Sequence, residues 1–356
     1  MNASPFAVSQ EGTLAACGDG PEVLVYLTIS GAPVWKAFAD GVVVGLAFDG
    51  SRLLGLDSNG RLYLWEQESG QLDQQHDLGM QARGMSLAAD GAILVGAEDG
   101  VHLVVPGGLQ HHWPMACPTA MAWMGQTGAV GTPDGIFTLV HRQSGLHAAS
   151  NLGGPIVDIC VSPLGLWVAA TEDRLVLLES EGKKALRVLD LSGEAAVKKV
   201  GVSRDGIVVA ASREDGTVWL GDSVQLHKAG EIKSRRAVEG AWFGQALLLI
   251  VMHDDGDASM VDLSSQKIVQ SEAHMGRSRR AWHIEVDVNL AGIRGARVNV
   301  ASGGETVATY TGPKPDADRP SWGKWLLGLA AGCLVLVVGT AVLAVISGLV
   351  LGSRGL

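Results

Sequence analysis

A tight turn, in six of its eight occurrences Asp or Asn followed by Gly, returns along this chain at a spacing of about 40 residues. The marker falls at Asp19-Gly20, Asn59-Gly60, Asp99-Gly100, Asp134-Gly135, Glu172-Asp173, Asp215-Gly216, Asp255-Gly256 and Gly303-Gly304, and its last step stretches to 48 residues. Another turn recurs in the same register, at Glu11-Gly12, Asp49-Gly50, Asp90-Gly91, Thr127-Gly128, Leu164-Gly165, Asp205-Gly206, Phe243-Gly244 and Ala291-Gly292. Asn-Gly and Asp-Gly pairs supply the positive φ that tight hairpins need. The runs between them, such as Ile207–Ala211 and Val218–Leu220, favour extended chain. Long amphipathic helical stretches are absent before residue 325. Four short strands per unit, repeated, predict an all-β fold of the β-propeller type. Eight units can be counted. The last is weakest and lacks an obvious fourth strand, so the pattern allows seven or eight four-stranded blades. Seven would leave a β-rich neck at 281–312.

Hydropathy sets the second constraint. The mean over 356 residues is +0.22, and the excess sits in Trp325–Leu351, 27 residues without a charge. A bilayer core needs about 20 apolar residues, so this segment is predicted to be one C-terminal transmembrane α-helix. Trp322 and Trp325 mark its start, as interfacial aromatics do. Lys314, Arg319 and Lys324 precede the span and only Arg354 follows it, which places the rest of the chain on the cytoplasmic side. The opening MNASPFAVSQEGT has neither a basic n-region nor an apolar h-region, so no signal peptide is expected. The expected layout is a propeller at 1–312, a polar linker at 313–324, the helix at 325–351 and a tail at 352–356. Gly328, Gly332 and Gly348 fall at four-residue steps, which suits close helix packing and a helix-mediated oligomer. Richness in Ala, Gly and Val with few Lys and Phe suggests a GC-rich bacterial genome, hence a single-pass inner-membrane protein. Cys17, Cys117, Cys160 and Cys333 are far apart and read as small apolar residues.

Particular stretches carry a family likeness. Ser58–Leu72, SNGRLYLWEQESGQL, joins a Gly turn, an alternating strand, Trp65-Glu66 and a Ser-Gly turn. Glu214–Asp222, EDGTVWLGD, and Ala258–Gln270, ASMVDLSSQKIVQ, with Asp262 in the acidic place, follow the same plan. These units resemble the WD40 repeat superfamily, with Trp65-Glu66 at its Trp-Asp position. The resemblance covers residues 1–312, although the Gly-His pair that opens each unit in that family is missing. It implies a propeller that binds proteins. Ile29–Trp35, ISGAPVW, is similar to quinoprotein-like propellers, which often have eight blades, are typically periplasmic and include enzymes and envelope-assembly factors.

A search for chemistry finds no GxSxG, P-loop, HExxH or EF-hand loop, so no enzyme, catalytic residue, metal site or cofactor is expected. His111 and His112 are adjacent, and neighbours in a strand point to opposite faces, a poor chelate. His253-Asp254-Asp255-Gly256-Asp257 crowds carboxylates beside a His, and reads as an exposed hairpin turn. Ser212–Trp219, SREDGTVW, resembles the Asp-box of sialidase-type propellers, itself a structural hairpin. Asp99, Asp134, Asp173, Asp215 and Asp255 would form an acidic ring on one face. Turn propensity explains them, and attraction of a basic partner would be their functional use. Two basic clusters, Lys233, Arg235 and Arg236, and Arg277, Arg279 and Arg280, are expected at blade connections as docking points for a partner or for anionic lipid. A net charge of −10 and a pI of about 5.4 argue against nucleic acid. The combined expectation is a membrane-anchored, non-enzymatic scaffold or sensor on the cytoplasmic face that binds a protein partner.

Overall fold

The structure is a computed structural model that describes residues 5–28, 32–105, 108–234, 237–244, 247–253, 258–263, 267–269, 284–289 and 297–300. The expected linker, membrane helix and tail, with Gly328, Gly332 and Gly348, lie outside these residues. Among the described residues no helix is long and apolar enough to cross a membrane.

Blade 1 comprises β1 (Phe6–Val8), β2 (Leu14–Asp19), β3 (Glu22–Leu27) and β4 (Pro33–Phe38). Blade 2 comprises β5 (Val43–Asp49), β6 (Arg52–Asp57), β7 (Arg61–Glu66) and β8 (Leu72–Asp77). Blade 3 comprises β9 (Ala82–Leu87), β10 (Ile93–Ala97), β11 (Gly100–Val105) and β12 (Gly108–Pro114). Blade 4 comprises β13 (Ala120–Met124), β14 (Thr127–Gly131), β15 (Ile136–His141) and β16 (Gly145–Asn151). Blade 5 comprises β17 (Ile156–Ser162), β18 (Leu166–Thr171), β19 (Arg174–Leu178) and β20 (Ala185–Asp190). Blade 6 comprises β21 (Val197–Val202), β22 (Val208–Arg213), β23 (Thr217–Asp222) and β24 (Lys228–Ser234). Blade 7 comprises β25 (Val238–Phe243), β26 (Leu248–His253), β27 (Ala258–Asp262) and β28 (Lys267–Val269). Each blade is an antiparallel meander in chain order. The first strands of successive blades lie side by side, from β1 beside β5 through to β21 beside β25.

The second and third strands of a blade are buried along almost their whole length, because a neighbouring blade covers each face. Successive residues therefore serve opposite interfaces. Trp167 and Ala169 of β18 pack toward blade 4, while Val168 and Ala170 pack toward blade 6. The fourth strands of blades 1, 2, 3 and 5 are largely exposed, and every residue of β8, LDQQHD, is exposed. Cys17 and Cys160 have raised thiol pKa values, chiefly through burial, and Cys17 is pushed up to about 12; as expected, they behave as small core residues.

Side-chain packing closes the ring. Phe6 of β1 and Trp242 of β25 have ring centroids 4.2 Å apart, and Met252 joins Ala15, Cys17 and Tyr26 in one cluster. Arg204, on the turn after β21, donates from Nη2 to the Ser9 carbonyl at 2.8 Å. No strand is shared between the first and last blades among the described residues.

The blade number is seven, the lower of the two counts the repeats allow, and the eighth unit is not a blade but falls in the expected β-rich neck. β29 (Ile284–Asn289) and β30 (Arg297–Val300) form an antiparallel hairpin that extends blade 6, with Gly230 opposite Val288 and Ser234 opposite Ile284. The reason is physical. A lone two-stranded hairpin is marginal in water, and β24 offers an open sheet edge.

Candidate functional site

The turns between second and third strands lie on the same face as the connections between blades. In blade 2, Ser58 N donates to Val42 O at 2.7 Å and Leu78 N donates to Gly60 O at 2.9 Å. Gly60 is required there: its φ is +82°, and a Cβ would meet the Met80 carbonyl.

Asp57 ends β6 immediately before this turn and is fully buried. Its carboxylate accepts from Gly41 N, Asn59 N and Arg61 N, each at 2.9 Å, and from the Tyr63 hydroxyl at 3.1 Å. Tyr63 stacks on Trp65 at 5.2 Å. Trp65, the residue that carries the family likeness, is thus part of the core of blade 2. The strand-end place of Asp57 is taken by Thr132 in blade 4, Thr171 in blade 5, Arg213 in blade 6 and His253 in blade 7, all buried. His253 lies within hydrogen-bond distance of Ser234 Oγ (3.3 Å) and Ser259 Oγ (3.0 Å), which corrects its reading as part of an exposed turn.

Four of the five expected ring carboxylates fall on the corresponding turns of blades 3 to 6, and Asp255 lies outside the described residues. Three serve their own turns. Asp134 accepts from the Thr132 hydroxyl, Asp173 from the Thr171 hydroxyl at 2.8 Å, and Asp215 from Thr217 N at 2.9 Å.

Asp99 differs. His102 Nε2 donates to its Oδ1 at 2.8 Å. His112 Nε2 lies 3.2 Å from its carbonyl oxygen and 3.4 Å from Oδ2. His102 is buried on β11 and His112 exposed on β12. They are cross-strand partners whose rings stack 4.2 Å apart at an interplanar angle of 8°. His102, then the charges of His102 and His112, hold the Asp99 carboxyl below its ordinary range. His102 Nδ1 is buried without a hydrogen-bond partner.

His111 and His112 point to opposite faces, as expected, and His111 stacks on Trp113, two residues along, at 5.6 Å. The partner of His112 lies across the hairpin. Val104 faces Leu109, but a bulge between Leu103 and Val104 then shifts the register, so that His111 faces Leu103 and His112 faces His102.

Of the basic residues, Lys233 lies within β24 rather than at a blade connection, and its Nζ is 2.6 Å from Glu231. Lys228 and then Lys233 lower the Glu231 carboxyl. Arg235, Arg236, Arg277, Arg279 and Arg280 lie outside the described residues.

No family model matches this sequence, and no curated protein matches it. Solved structures do. The β-propeller domain of Cps50 (Swd1) from Myceliophteria thermophila aligns with a TM-score of 0.63 at 13% identity, over 74% of this chain and 97% of that domain. A chain of the mitotic checkpoint complex aligns with a TM-score of 0.64 at 14% identity, over 73% and 86% of the two chains. The fold is a seven-bladed β-propeller, and the aligned Cps50 (Swd1) domain is a β-propeller too.

Proposed function

We propose that this propeller is a non-enzymatic protein-interaction scaffold whose docking face carries the turns between second and third strands. The observation that carries the reading is the recurrence of carboxylates on that face in four successive blades, at Asp99, Asp134, Asp173 and Asp215. Such a row attracts a basic segment and raises its association rate more than its final affinity. The net charge of −10 has the matching sign. One structural neighbour is a chain of a multiprotein complex, which accords with this use of the fold. In the same proposal the apolar segment at 325–351 tethers the propeller to a bacterial inner membrane on its cytoplasmic side, and the basic residues around 235 and 279 meet a partner or anionic lipid.

The test is recovery of partners from native membranes by the full chain and by an Asp134→Lys, Asp173→Lys, Asp215→Lys variant. The proposal expects a stoichiometric basic partner that the triple variant loses. Equal recovery by both would overturn the docking face. Protection of the propeller from external protease in intact cells is expected, and its loss on opening the outer membrane alone would place it in the periplasm instead.

A further inference from the structure

We propose that Asp99, His102 and His112 form a binding site for a divalent transition metal of the zinc class, at the turn-face end of the outer hairpin of blade 3. The ligand atoms, two imidazole nitrogens and one carboxylate oxygen, all lie within 4.8 Å of one another. A tetrahedral zinc with bonds of about 2.1 Å holds its ligands about 3.4 Å apart. The two nitrogen-to-carboxylate distances, 2.8 and 3.4 Å, are close to that edge. The stacked rings present both Nε2 atoms to the same carboxylate, so a small tilt of the exposed His112 brings the second nitrogen to the ion. Two imidazoles and a carboxylate suit zinc, nickel or copper better than calcium or magnesium. A fourth position would remain for water, since the Asp99 and His112 side of the cluster faces solvent.

The scaffold holds the three groups in register. Asp99 is fixed by the two-residue turn that leads into β11, three positions before His102. Gly100 lets that turn sit against the end of β12: its φ is +137°, and a Cβ would meet the Trp113 carbonyl. The bulge in the hairpin sets His112, rather than His111, opposite His102. Metal at His102 Nε2 requires that nitrogen to be free of its proton, so the metal-bound neutral ring carries its one proton on Nδ1. Nδ1 has no acceptor behind it. The site therefore lacks the backing partner that raises the affinity of a metal-bound His, and it should bind about 10- to 100-fold more weakly than a fully backed zinc site.

The experiment is a calorimetric titration of the full chain in mild detergent with Zn²⁺ alone. The expected result is saturable binding that includes one site which His112→Ala and Asp99→Asn each weaken about 10-fold or more. His111→Ala and His147→Ala should bind as the parent does. His147 belongs to a separate pair with His141 on the opposite face, so it controls for adventitious surface binding. His112 and Asp99 are exposed, and unchanged melting curves will show that both variants fold. Absence of saturable binding would overturn the proposal, as would parent-like binding by His112→Ala and Asp99→Asn, or equal losses in all four variants.

Discussion

Blades 2 and 3 place an acidic residue at the same hairpin turn and use it in opposite ways. In blade 2 the carboxylate of Asp57 is at the strand end, buried, and accepts four hydrogen bonds. In blade 3 the strand end is Ala97, and the carboxylate comes two residues later at Asp99, exposed and facing two imidazoles. A shift of two residues turns a structural staple into a group with free coordination capacity. The stability of blade 2 should therefore depend on its turn chemistry, while blade 3 should tolerate loss of its acid.

Substitutions can break that contrast in order of expected effect. Trp65→Ala empties a buried indole site and removes the stacking partner of Tyr63, which should cost about 4 kcal/mol in urea unfolding. Asp57→Ala leaves three backbone donors and the Tyr63 hydroxyl without their acceptor. It should cost about 3 kcal/mol, visible as an earlier urea midpoint with the slope unchanged. Tyr63→Phe removes one hydroxyl that donates to Asp57 and accepts from Asp40 N at 2.8 Å, a loss of about 1 kcal/mol. Asp99→Asn should lower the midpoint far less than Asp57→Ala does, because the Asp99 carboxylate is exposed; a fall matching that of Asp57→Ala would erase the distinction between the two turns.

The smallest effect is a titration. Interaction with His102 lowers the Asp99 carboxyl from its ordinary 3.8. A lowered carboxyl contributes its stabilisation above the unfolded value and loses it as pH falls through the folded one. The carboxyl ¹³C signal of Asp99 should thus titrate with a midpoint below 3.8, and His102→Gln should return that midpoint toward 3.8. A midpoint unaffected by His102→Gln would mean that the imidazole does not hold the carboxylate.

Much of the architecture was legible because the turns are local. Gly60 and Gly100 are forced by backbone geometry, and a positive-φ glycine recurs at the same turn as Gly20, Gly135 and Gly216 in blades 1, 4 and 6. Trp65 marked its strand for the same reason: a large side chain between two blades leaves a fixed spacing to the turn. Non-local features were not legible. The sequence allows the weak eighth unit to be a blade or a β-rich neck, and its strands join the edge of blade 6, a choice made by which ladder is open. Asp57 stood outside the Asn-Gly marker, and only the converging amides of Gly41, Asn59 and Arg61 show its role. His102 and His112 are ten residues apart with a bulge between them. An unbroken hairpin would have paired His102 with His111 and left the cluster at Asp99 unformed.

The most direct measurement is the zinc-dependent shift in melting temperature of three chains, the parent, Tyr63→Phe and His112→Ala. At free zinc 100-fold above its dissociation constant, binding to the folded state alone adds about 2.7 kcal/mol. The parent and Tyr63→Phe should rise by the same several degrees, since blade 2 has no part in the site, and His112→Ala should rise by about half as far or less. A parent that does not respond to zinc, or a His112→Ala variant that rises as far as the parent, would contradict the division of labour between the two blades.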